Sequence, residues 1–101
     1  MSYQNKAHAH NLALHDAALA DLLAVDAELY GSLIVDPQHN GGTNPIAGLL
    51  GRIKGHPAHV YRTTLGTWSA YVGTGPVKVR AHGQTPRELA LNLRAILMVS
   101  A

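Results

Sequence analysis

A chain of 101 residues has room for one domain. With 47% hydrophobic and 14% charged residues it is too apolar to be disordered by composition, and with no cysteine it excludes disulfide scaffolds, Cys-ligated zinc and thiol catalysis. The formal net charge of +2 hides a division: residues 1 to 43 set Lys6 against Asp16, Asp21, Asp26, Glu28 and Asp36, whereas residues 44 to 101 set seven Lys and Arg against Glu88, giving −4 and +6. Such a split bears on association and steering, so the basic half is expected either to neutralise the acidic one or to meet an acidic partner.

No basic stretch followed by a short apolar run opens the chain, and no apolar run approaches the ~20 residues that cross a bilayer. The expectation is a cytoplasmic protein, neither exported nor membrane-bound. From Lys6 to Tyr30 there is no proline or glycine and much Ala and Leu, which predicts one long helix of roughly 36 Å. Gly31 ends it, and Leu33, Ile34 and Val35 suggest a short strand before Asp36-Pro37. Residues 1–35 thus read as an acidic helical arm, and 36–45, rich in Asn and Gly, as a loop.

Residues 46–101 read as a basic α-β-β-β-α unit. Asn44-Pro45 has the form of a helix cap, and Ile46, Leu49, Leu50 and Ile53 follow at helical spacing until Gly55 and Pro57. The period then changes to two over His59–Leu65, Thr67–Val72 and Val77–His82, which predicts a three-stranded antiparallel sheet. Thr85-Pro86-Arg87-Glu88 is a capping box with proline at the first helical position. The stripe Leu89, Leu93, Ile96 and Leu97 then packs a C-terminal helix on the sheet. The fold class is α+β, with an expected stack of sheet, last helix and first helix.

This order from Asn44 onward resembles that of the double-stranded-RNA-binding domain. The run from Ala81 through Gly83, Thr85-Pro86-Arg87-Glu88 to Ala90 resembles the strand-to-helix step of HicB-type antitoxin domains and of small phage-encoded αβ proteins. With the small size and the absence of a catalytic constellation, the resemblance implies a phage- or mobile-element-type protein. The surplus apolar helix faces and the charge split point to one that docks on a host protein or nucleoprotein complex and blocks it, as anti-CRISPR proteins do. This is the leading expectation, beside the alternatives of a nucleic-acid-binding module and a virion subunit.

Two surfaces in the sequence invite partners. On the first helix Ala13, Ala17, Ala20, Ala24 and Ala27 are spaced as a heptad-like seam beside a leucine stripe, and Asp26 falls within that stripe. There Asp26 is expected to face water at a contact rim, to meet Arg52 or Arg94, or to fix the register of a partner helix. On the last helix Leu91 and Met98 lie opposite the core stripe, so a homo-oligomer or an obligate partner is expected. In a virion the alanine seam would be the assembly contact of a structural subunit.

The second surface is a sheet face. Val77, Val79 and Ala81 alternate with Lys78, Arg80 and His82, and Tyr71 joins the basic side if Trp68, Ala70 and Val72 point inward; Arg62 is expected to add from the preceding strand. Such a platform suits a nucleic acid or an acidic partner, and the same alternation also describes an ordinary solvated face. The seven histidines are expected to hold no metal: on a helix His8 and His10 point about 200° apart, and no acid lies near His56 and His59. No phosphate-binding loop, nucleophile elbow or His-Glu-x-x-His motif is present, so no cofactor and no catalytic residue is expected.

Overall fold

The computed structural model describes residues 3–36, 48–75 and 78–99 of the chain. Its elements are α1 (Tyr3–Val25), α2 (Ala27–Tyr30), β1 (Ile34–Val35), β2 (Leu49–Ile53), β3 (His56–Arg62), β4 (Trp68–Val72), β5 (Val79–Gly83) and α3 (Pro86–Val99). The five strands form one antiparallel sheet in the order β1-β2-β3-β4-β5, so each strand pairs with its neighbour in sequence. This is an α+β fold, but it is not the expected three-stranded unit, and its element order is not α-β-β-β-α.

The difference lies at Leu49–Ile53, expected as helix and found as β2. Leu49 and Ile53 are four positions apart, a spacing that serves one face of a helix and one face of a strand equally well. The residue between them on the strand face is Gly51, which carries no side chain to reveal the period of two. A Cβ at Gly51 would lie 2.3 Å from the Ser32 carbonyl oxygen, so glycine is what lets β2 lie this close to the backbone leading into β1. Asn44, Pro45 and Ile46, the expected cap and first turn, lie outside the described residues.

The β2–β3 hairpin closes through Lys54 (φ 52) and Gly55 (φ 79), two left-handed residues in succession as a type I′ turn requires. Pro57, expected to break structure, sits inside β3 opposite Arg52, and its carbonyl accepts the Gly73 N–H at 2.8 Å. The β3–β4 turn is tied by Thr63 and Thr67, whose hydroxyls are 2.7 Å apart.

One face of the sheet carries Leu49, Ile53, Ala58, Val60, Trp68, Ala70, Val72 and Ala81, all buried. Against it pack Leu89, Ala90, Leu93 and Leu97 of α3 with Ala18 and Leu22 of α1. Helix α1 reaches the sheet itself, with the His15 ring edge-on to Trp68 at 5.5 Å, so it does not form the expected third layer outside α3. His15 is buried rather than at the surface, and its Nδ1 donates to the Asn11 carbonyl at 2.8 Å.

The first helix is also shorter than expected. Asp26 interrupts it: with extended backbone, it caps α2 by accepting the Leu29 N–H on its carboxylate at 3.0 Å. A short acidic side chain that bonds the nearby backbone competes with helix continuation without any proline or glycine. Arg94 donates to the carbonyl of Val25, one residue before the break, and Arg52 donates to the Gly55 carbonyl. The Tyr30 hydroxyl, fully buried, donates to the Ala90 carbonyl at 2.6 Å and joins α2 to α3. At the start of α3 the Glu88 N–H donates to the Thr85 hydroxyl and Glu88 Oε1 accepts from the Gln84 N–H.

Candidate functional site

The side of the sheet turned away from α1 and α3 is built by strand alternation. Registration places Leu50, His59, Tyr71 and Arg80 in one row across β2 to β5, and Tyr61, Ser69 and His82 in the next across β3 to β5. Lys78, just before β5, belongs to the same side, since its Nζ lies 4.4 Å from the centre of the Tyr71 ring. That distance is a cation–π contact, which draws the ammonium onto the ring rather than into bulk water.

Around this pair the rings are in mutual contact. His59 meets Tyr71 edge-on at 5.4 Å and Tyr61 at 5.1 Å with the planes tilted by 35°, and Tyr61 meets Tyr71 at 6.4 Å. The Tyr71 hydroxyl and His59 Nδ1 share a hydrogen bond of 3.1 Å, and Ser69 Oγ shares one of 2.8 Å with His82 Nδ1. Ser69, on the side turned away from the helices, is only 4% exposed. Strands β2 to β5 contain no carboxylate, which leaves the positive charge of this face without an internal counter-ion on those strands.

Tyr71, Lys78, Arg80 and His82 are therefore brought together. Arg62 is not. It lies directly opposite Trp68, whose ring points to the helices, so Arg62 is on the helix side, beside the β3–β4 turn at Gly66. Tyr61 and His59 hold the places on β3 that Arg62 was expected to fill. The signal for them was present in the alternation of Ala58 and Val60 with His59 and Tyr61: two small or branched apolar residues facing the core leave the two ring residues facing out.

The expected protein-contact residues fall on the helix layer. Ala13, Ala17, Ala20, Ala24 and Ala27 are exposed, while the alanine that enters the core is Ala18. Asp26 is half-buried and committed to its cap, and on α3 Leu91 is 38% and Met98 69% exposed. A cleft of about 310 Å³ is lined by Asp26, Glu28, Leu29 and Lys54, none of them on the ring-bearing face. Among the described residues no group of three His, Asp or Glu side chains converges as a metal site, and no helix is long and apolar enough to cross a membrane.

Comparison of the chain with protein-family models, curated proteins and solved structures returned no match. What the face does must be judged by its own chemistry. It sets the Lys78 ammonium on the Tyr71 ring within a group of mutual ring contacts, with Arg80 opposite Tyr71 on the next strand.

Proposed function

We propose that this protein binds single-stranded nucleic acid on the face of its sheet turned away from α1 and α3. The observation that carries the reading is the Lys78–Tyr71 contact within a continuous cluster of His59, Tyr61 and Tyr71, flanked by Arg80. Phosphates are neutralised by Lys and Arg with release of counter-ions, and unpaired bases stack on rings without regard to their identity. A duplex hides its bases, so half-buried rings set in a sheet face are of most use to a single strand. The action is binding rather than catalysis, and it needs no cofactor.

Fluorescence anisotropy with labelled single-stranded DNA and RNA of ten nucleotides, between 50 and 200 mM salt, tests this. Binding that weakens steadily with salt and is abolished by Lys78→Glu with Arg80→Glu is the expected result. No binding at the lowest salt removes the proposal.

A second reading, a non-enzymatic inhibitor of phage type docked on a host protein or nucleoprotein complex, draws support from the opposite layer. There Leu91, Met98 and Val99 of α3 are exposed, Val99 to 87%, next to α1 with its exposed alanines. Leu91→Asp with Met98→Asp would then abolish co-purification with the blocked complex and leave oligonucleotide binding intact.

A further inference from the structure

The proposed face is zoned, and we infer from the zoning the path of the bound strand: its phosphodiester backbone follows β5, its bases lie across β4 toward β3, and Tyr61 is the ring on which a base stacks. This rests on the reading of the face as a nucleic-acid surface. Lys78 just before β5 and Arg80 and His82 within it stand in file, two residues apart and so about 6.7 Å between successive members of an extended chain. The rings stand on the other side, His59 and Tyr61 on β3, with Tyr71 between the two zones on β4.

Tyr71 is occupied on several sides. One face of its ring holds Lys78, its hydroxyl is shared with His59, and its edges abut the rings of His59 and Tyr61. It is a positioning residue that fixes the Lys78 ammonium over the sheet. The Tyr61 ring meets those of His59 and Tyr71, and it stands one row further along the sheet, beside the small Ser69. Arg52 is on the same side of β2, but its guanidinium is bonded to the Gly55 carbonyl in the hairpin turn, away from the β5 file.

Salt titration of single-variant proteins against a ten-nucleotide oligothymidylate or oligouridylate separates these roles, because phosphate contacts set the slope of log K against log salt and stacking sets the intercept. Lys78→Gln and Arg80→Gln should each reduce the slope by about 0.7. Tyr71→Phe should keep the slope, and Tyr71→Leu, which removes the ring beneath Lys78, should reduce it as Lys78→Gln does. Tyr61→Ala should weaken binding by a factor of about 5 to 150 at unchanged slope. Arg52→Gln should change neither. Circular dichroism confirms that each variant is folded. A slope reduced by Arg52→Gln as much as by Lys78→Gln, or a Tyr61→Ala effect within twofold, overturns this path while leaving the nucleic-acid reading in place; an unmodified protein that fails to bind at low salt removes both.

Discussion

The hydroxyl of Tyr30 donates to the carbonyl of Ala90 at 2.6 Å, joining residues 60 positions apart in the chain. Burial, helped by the nearby Asp26 carboxylate, pushes the phenol up to about 12. A group whose pKa is raised on folding stabilises the fold fully below its unfolded value, about 10, and loses that contribution as pH rises through the folded value. Tyr30→Phe should therefore cost about 1 kcal/mol at pH 7. The gap between the two proteins in urea denaturation should close and then reverse between pH 10 and 12, and a gap that stays constant to pH 12 would contradict the assignment.

Gly51 lies close against the backbone that leads into β1. Adding a Cβ places it 2.3 Å from Ser32 oxygen and 3.1 Å from the Leu33 Cα, both backbone atoms that cannot swing aside. Gly51→Ala should destabilise by about 1–3 kcal/mol. The loss should be accompanied by faster hydrogen exchange at the Val35 amide and the neighbouring Asp36 amide, which bonds Gly48. Unchanged exchange there would show that β1 does not depend on this approach.

Asp26 acts through its cap. Asp26→Ala should cost about 0.5–2 kcal/mol and Asp26→Asn much less, since asparagine also accepts from the N–H of the third residue. If Asp26 instead fixed the register of a partner helix, Asp26→Leu would raise self-association measured by light scattering. With the carboxylate bonded to the Leu29 N–H, a fall in melting temperature at unchanged mass is expected.

The capping box of α3 makes a parallel case in which a local signal suffices. Thr85→Ala removes the acceptor of the Glu88 N–H and should cost about 1 kcal/mol by thermal melting. An effect below a few tenths would mean that solvent replaces the hydroxyl at this exposed end.

The contrast between these positions shows what was legible. Thr85 to Glu88 declares a helix start because every atom of the cap lies within the five residues Gln84 to Glu88, and the alternation from Lys78 to His82 declares which residues share a face because a strand's period is local. Leu49–Ile53 has the spacing of a helix because Gly51 erases one member of the alternation, and the reason for that glycine is a backbone eighteen to nineteen positions earlier. The face of Arg62 cannot be read from the end of β3 alone; Trp68, across the turn, decides it.

By itself the chain determined its class, the basic side of its last strand and the cap of its last helix, all of which depend on neighbours in sequence. Only the tertiary structure decided that five strands pair in order, that Asp26 ends the first helix, and that Tyr61 and His59 join Tyr71 and Lys78. Those outcomes depend on register and close approach between distant segments, and no local pattern of residues encodes the atoms on the other side of a contact.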